Sequence, residues 1–204
     1  MHSILHKIST HKLDRMKRVL IIDNYDSFNY NLVHAVEEIL GYEIDVWRND
    51  QIDYEKIEDY EYIILSPGPG IPDEAGDLKK VISTYSRKKK MLGVCLGHQA
   101  ISEVYGAVLE NLDRVYHGVQ TSIEQTQDNI LFKGLEKSFT GGRYHSWVVK
   151  KGTINEEFEI TSQDANGEIM SFEHKELPLY GVQFHPESIL TPEGKTMLSN
   201  FLNV

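Results

Sequence analysis

The stretch Gly93-Val94-Cys95-Leu96-Gly97 holds the only cysteine of the chain. It has the form G-x-C-x-G and sits where an apolar run, "MLGV", gives way to a helical pattern. With serine in place of cysteine this is a nucleophile elbow, in which flanking glycines permit a strained turn that pushes the nucleophile out of a sheet. The thiolate is the reactive form, and a free thiol with pKa about 8.5 needs a helix N-terminus and a basic neighbour to ionise near neutrality. The helix beginning near His98 answers the first need. An isolated cysteine is more often a small buried hydrophobe; the two glycines and the strand-to-helix junction favour the nucleophile.

The second need is met by "QFHPES". His185 follows a buried strand run, and Glu187, two residues on, can turn back to hold one imidazole nitrogen, leaving the other to exchange a proton at Cys95. Cys95, His185 and Glu187 then form a triad. The H-x-E pattern also begins the zinc deaminase signature, but that signature needs a downstream P-C-x-x-C, which a chain with one cysteine lacks; no metal is expected. "SPGPGIPDEAG" fails both phosphate-loop templates, because Asp73 stands where a dinucleotide fingerprint wants Gly or Ala and no G-K-[ST] follows. Prolines around Gly68 and Gly70 instead make a stiff turn with exposed N–H groups, suited to an oxyanion hole.

These residues need a scaffold that brings strand ends together. "RVLIID" at 18–23 is a continuous apolar run, the mark of a strand buried on both faces, hence of a parallel sheet. Asp26 is placed to cap a helix in which Phe28, Leu32, Val36, Ile39 and Leu40 recur at helical spacing until Gly41 ends it. Strand runs follow at "EIDVW", "YIILS" and "MLGV", with helical patterns over 53–59 and 73–86. The order βαβαβαβ predicts an α/β fold, a doubly wound, mostly parallel sheet with helices on both faces. From about residue 107 short alternating stretches ("AVLEN", "TSIEQ", "SWVVK", "FEITSQ", "EIMSFEH") predict antiparallel additions. "LYGVQF" reads as another buried strand, and Thr191 with Pro192 as the start of a last helix. In such sheets ligands bind beyond the carboxyl ends of the strands, where "DNYDSF", "SPGPGIP", "CLGHQ" and "HPES" fall.

The 204 residues, 40% hydrophobic, suit one domain. A net charge of -10 repels phosphate backbones and anionic lipid, which argues against nucleic acid or membrane as partner. A lone cysteine and the lack of a secretory or membrane-spanning apolar run predict a reduced, cytoplasmic protein. Residues 1–15, basic and His-bearing, read as a tag, an upstream start or a disordered arm ahead of a single domain over 16–204.

Taken together, "DNYDSFNYNL", "LSPGPGIP", "GVCLGHQAI", "GRYHSW" and "GVQFHPES" resemble the triad-type (class I) glutamine amidotransferases, in order and from about Lys17 to the C-terminus. Within them the chain most resembles the anthranilate synthase component II group, with aminodeoxychorismate synthase amidotransferase subunits second. The resemblance implies that Cys95 forms a glutamyl thioester and releases ammonia, with His185 as acid/base and Glu187 as its orienting partner. It implies further that the N–H groups of Gly70 and Leu96 form the oxyanion hole, that Gln99 and the Ser146-Trp147 backbone hold L-glutamine, and that Gly68 and Pro69 shape the pocket. It also implies a separate chorismate-binding synthase subunit (anthranilate synthase component I) as partner, with Mg2+ used by that partner and no cofactor in this chain.

The chain departs from the family at Trp147, where many relatives have Leu, and at Val119, where a Lys is common; the second bears on partner contact. No phosphoribosyltransferase segment follows Val204, so a stand-alone subunit is expected. Two other functions compete: an independent thiol hydrolase of γ-glutamyl compounds, and an inactive regulatory homologue, against which the intact triad speaks.

Overall fold

The computed structural model describes residues 17–204; the segment 1–15, read above as an extension, lies outside the described residues. Its centre is a nine-stranded sheet in the order β2-β1-β3-β4-β11-β10-β9-β6-β7. Strands β1 (Val19–Asp23), β2 (Asp45–Arg48), β3 (Tyr62–Leu65), β4 (Lys90–Val94) and β11 (Leu179–Val182) run parallel. Beyond β11 the sheet turns antiparallel through β10 (Ile169–His174), β9 (Phe158–Asp164), β6 (Val119–Gln125) and β7 (Ser138–Arg143). A separate antiparallel pair joins β5 (Leu109–Asn111) to β8 (Trp147–Val149).

The apolar runs of β1, β3, β4 and β11 explain their two-sided burial, whereas β2, at the edge of the sheet, is largely exposed. Side chains alternate across a strand, so Leu20, Ile22, Ile63, Leu65 and Met91 face one core, with Leu78, Val81 and Ile82 of α2 (Leu78–Tyr85) and Leu96, Ala100 and Ile101 of α3 (Leu96–Val104). Val19, Ile21, Ile64, Leu92 and Val94 face the other, with Leu32 and Val36 of α1 (Asn29–Leu40) and Met197, Leu198 and Phe201 of α4 (Gly194–Leu202). Each such fully buried aliphatic side chain contributes about 1.5–3 kcal/mol relative to exposure. Helices thus cover both faces, as the βα order predicts.

Several boundaries differ from the sequence expectation. Asp26 does not cap α1; Phe28 takes that place, and the Asp26 carboxylate instead accepts from the Phe28 N–H at 2.6 Å, closing the turn ahead of the helix. Gly41 ends α1 in a left-handed conformation, as expected, its N–H donating to Glu37 O at 2.7 Å. The pattern over 53–59 yields only a 3₁₀ turn at Lys56–Asp59, and that over 73–86 a 3₁₀ turn at Pro72–Glu74 followed by α2. Thr191 starts no helix: its hydroxyl donates to His185 O at 2.6 Å and accepts from Gly142 N at 2.9 Å, and α4 begins at Gly194. Strand β7, with Gly141 and Gly142 in its midst, lacks the β-branched alternation that marks a strand.

Candidate active site

Cys95 alone makes the turn between β4 and α3, at φ 50° and ψ −99°, a region that side-chain-bearing residues seldom occupy. Its N–H donates to Val182 O at 2.8 Å and its carbonyl accepts from Gln99 N at 3.0 Å, so strand and helix both grip the turn. The flanking glycines are required by space. A Cβ on Gly93 would lie 2.4 Å from the carbonyl carbon of Gly97 and one on Gly97 2.5 Å from Leu65 O, both backbone atoms that cannot swing aside. Their absence of side chains lets α3 start against β3 and β4.

His185 leaves the end of β11 with its N–H on Gly142 O at 2.9 Å. Its Nδ1–H donates to Glu187 Oε1 at 2.6 Å, and the ring is flanked edge-on by Tyr144 at 4.9 Å and Phe28 at 6.1 Å. Both side chains are enclosed, at 2% and 0% exposure. Burial disfavours the imidazolium, but the Glu187 carboxylate and the Cys95 sulfur outweigh it and hold the His185 pKa well above 6.5. His185 Nε2 has no hydrogen-bond partner among the described residues.

Cys95 and His185 line one cleft of about 370 Å3 together with Phe28, Gly68, Pro69 and His117. It adjoins a pocket of about 190 Å3 lined by Gly68, Pro69, Gly70, Cys95, Gln99, Ser146 and Trp147. The loops after β1, β3, β4 and β11 therefore meet where the sequence placed the ligand. Leu96 and Glu187 line neither space. Leu96 is the first residue of α3, so its N–H has no acceptor within the helix, and Glu187 stands behind His185. Gly70 adopts φ +73°, the left-handed region, and a Cβ on Gly68 would meet Leu96 Cδ2 at 2.5 Å and Asn24 O at 2.8 Å. A larger cleft of about 700 Å3 at the opposite ends of β1 and β2, beside Arg18, Tyr42 and Tyr60, holds none of these groups.

A chain of buried polar groups leads into this site that spacing along the sequence did not reveal. Arg143 is fully enclosed, with its guanidinium 2.7 Å from Asp164 Oδ2 and lying over the Tyr116 ring. Its Nε–H can only donate, so His145 Nε2 must accept at 3.0 Å and the His145 proton sits on Nδ1, 3.0 Å from Trp147 O. Burial, with Arg143 beside it, lowers the His145 pKa to about 3, which keeps the ring neutral. Trp147 O also accepts from Gln99 Nε2 at 2.8 Å. Gln99 Nε2 donates in addition to Gln183 Oε1 at 3.2 Å, and Gln183 Nε2 points at Cys95 Sγ at 3.6 Å. A charged residue inside "GGRYH" and a Gln between strand and histidine were the available signals.

A doubly wound sheet with a cysteine elbow and a His-Glu pair at its strand ends defines a class, and the chain belongs to it: it is a member of the class I glutamine amidotransferases, whose family model ("Glutamine amidotransferase class-I") matches residues 20–204. Among its relatives is the aminodeoxychorismate/anthranilate synthase component 2 of Bacillus subtilis, 46% identical over 90% of this chain and 95% of its own length. Anthranilate synthase component 2 of Pseudomonas aeruginosa is 47% identical, covering 90% of this chain and 94% of its own. The longer bifunctional protein TrpGD of Thermotoga maritima is 46% identical over 93% of this chain, which spans 32% of that relative. A glutamine amidotransferase structure from Thermotoga maritima shares the fold, with a TM-score of 0.76 at 16% identity over 93% of this chain and 97% of that one.

Proposed function

We propose that the chain is the glutaminase subunit of anthranilate synthase, hydrolysing L-glutamine at Cys95 and supplying ammonia to a separate chorismate-binding synthase subunit. The Cys95 thiolate attacks the γ-carbonyl of glutamine, and the oxyanion is received by the N–H groups of Gly70 and Leu96. His185, held as an imidazolium by Glu187, gives its proton to the departing amide nitrogen, which leaves as ammonia with formation of a thioester. Water then attacks the thioester with His185 as base, and glutamate leaves Cys95 as thiolate. Gln99 has both amide protons committed to Trp147 O and Gln183, which leaves the carbonyl oxygen of this pocket-lining residue as an acceptor suited to the glutamine ammonium. Gly68 and Pro69 wall the pocket, and Ser146 and Trp147 offer backbone groups to the substrate.

The observation that carries this is the placement of Cys95 in a strained elbow on the same cleft as a histidine bonded at 2.6 Å to a buried carboxylate. The anthranilate product is supported by the names of the Bacillus and Pseudomonas relatives. The double name of the first favours aminodeoxychorismate as an alternative or additional product. We assign the partner to the face around the cleft, where Tyr25 and Val115 of the lining are exposed and Val119 and Ile189, close in sequence to His117 and His185, are exposed apolar groups. Among the described residues no helix is long and apolar enough to cross a membrane, and we assign the chain to the cytoplasm, where a lone thiol stays reduced.

The test is a Cys95→Ala subunit assembled with its synthase. Glutamine-dependent synthesis is expected to vanish while ammonia-dependent synthesis persists near the wild-type rate, because free ammonia bypasses only the thiol step. Loss of both in an intact complex would refute the division of labour. Product analysis with each candidate synthase from the same organism, glutamine being the sole nitrogen source, decides between anthranilate and aminodeoxychorismate.

A further inference from the structure

The buried amide of Gln183 has no place in the triad, yet it contacts the reacting atom. Its Nε2 is 3.6 Å from Cys95 Sγ, and its side chain is wholly enclosed. The direction of that contact is imposed from a distance. Trp147 O can only accept, so Gln99 must present its NH2 group to it. The same NH2 then faces Gln183, which must answer with Oε1, and this leaves the Gln183 NH2 aimed at the sulfur. Turning the Gln183 amide over would set two NH2 groups against each other and an oxygen lone pair against a thiolate. Trp147 O is itself fixed by a second donor, His145 Nδ1, whose tautomer Arg143 dictates.

We propose that Gln183 is a catalytic residue of the glutaminase reaction: its amide N–H holds the Cys95 thiolate in place and stabilises its charge, aimed by the Gln99 amide and the Trp147 carbonyl. This rests on Cys95 being the nucleophile. A hydrogen bond to an ionised acceptor is about twice as strong as one between neutral groups, so the N–H favours thiolate over thiol. The sulfur is also kept from rotating away from His185. Because Gln99 and the Trp147 segment line the substrate pocket, occupancy of that pocket is transmitted to the nucleophile through two amides.

The single cysteine makes the test direct, since iodoacetamide uptake by the full chain, read by the mass of the peptide that carries residue 95, is not confounded by a second thiol. Gln183→Met keeps the length of the side chain and removes the donor; Gln183→Glu keeps the acceptor for Gln99 and turns an oxygen toward the sulfur. Both are expected to slow alkylation at pH 6.5 by roughly three- to tenfold or more, with Glu the slower. At pH 10, well above the ordinary range of a thiol, Gln183→Met should alkylate within about twofold of wild type. The kcat for glutamine should fall with KM little changed. A folded Gln183→Met chain whose alkylation profile and kcat match wild type overturns the proposal. If neither variant folds, the Gln183 side-chain amide protons in 1H–15N spectra of the wild-type chain decide: they must titrate together with Cys95 alkylation, and invariance overturns it. The nucleophile assignment is tested separately, by whether complete alkylation of the wild-type chain stops glutamine hydrolysis. Continued hydrolysis removes that assignment and Gln183 with it, whereas inactivation with unaltered Gln183 variants removes Gln183 alone.

Discussion

Glu187 touches the imidazole of His185 at 2.6 Å and lines neither the cleft nor the pocket, so its effect on chemistry passes through that one ring. The carboxylate favours the imidazolium, and the folded-state pKa of His185 lies above its ordinary 6.5 despite burial. A raised pKa of this kind means that the charged form, with the stability it brings, is fully present below the unfolded value. It is lost only as pH rises through the raised one. Glu187→Gln removes the attraction. Glutaminase turnover in the assembled complex is expected to drop by about 10–100-fold, with the alkaline limb of the pH–rate profile moved to lower pH. An unmoved limb with normal turnover would reduce Glu187 to a packing residue.

Gly97→Ala is expected to disrupt the fold around the elbow. The new Cβ would stand 2.5 Å from Leu65 O, and to escape it α3 must back away from β3, opening the core that Leu96, Ala100 and Ile101 fill. The cost expected for such overpacking against backbone is about 3 kcal/mol, read as a lower urea midpoint; a midpoint equal to wild type would contradict it.

Asp164→Asn leaves the Arg143 guanidinium buried without its countercharge, which is expected to cost about 3–5 kcal/mol near neutrality. Burial opposes the Asp164 carboxylate, but the Glu168 N–H and the Arg143 guanidinium outweigh it and hold its pKa below 3.8. Its stabilising contribution is therefore present above the ordinary aspartate range and is lost as pH falls through the lowered value. Melting temperatures of the two proteins should differ most near pH 7 and converge in acid below that value. Since Arg143 steadies Trp147 O through His145, KM for glutamine should rise in the variant as well. A constant gap at every pH would show that the charge is not the cause.

Ile189, four residues beyond His185, is 93% exposed, and Tyr30, two residues beyond the cleft residue Phe28 and assigned here to the same docking face, is 84% exposed at the start of α1. Ile189→Asp together with Tyr30→Asp is expected to raise the synthase concentration needed for half-maximal glutamine-dependent synthesis by roughly tenfold. Slow glutamine hydrolysis by the isolated chain should persist unchanged. An unaltered titration would move the docking surface elsewhere.

Much of the framework is legible in the sequence because its strands are buried on both faces. Such strands must carry unbroken apolar runs, and β1, β3 and β4 do, over residues 19–22, 62–65 and 91–94. The elbow is legible for a related reason, since close approach of backbones demands Gly93 and Gly97 at fixed offsets from the cysteine. β7 escaped because Gly141 and Gly142 stand where a strand signal wants branched side chains. Gly141 has Ile123 and Phe184 in the space a side chain would need. Gln183 escaped because its partners, Gln99 and Cys95, are 84 and 88 residues away, and no local pattern records a contact made across the sheet. Arg143 and His145 escaped likewise: their state is set by Asp164 and by one another, inside the fold.

The backbone of Cys95 has a consequence for how such chains age. At φ 50° and ψ −99° a side chain is a handicap, and glycine is the residue that tolerates the turn best. Cys95→Gly is expected to yield a protein more stable than wild type by about 1 kcal/mol and incapable of the thiol chemistry. Thermal unfolding of the two proteins side by side would measure that gain. A gene copy released from the demand for glutamine hydrolysis would therefore have a downhill path at this codon, and persistence of cysteine there is a mark of continuing selection on activity.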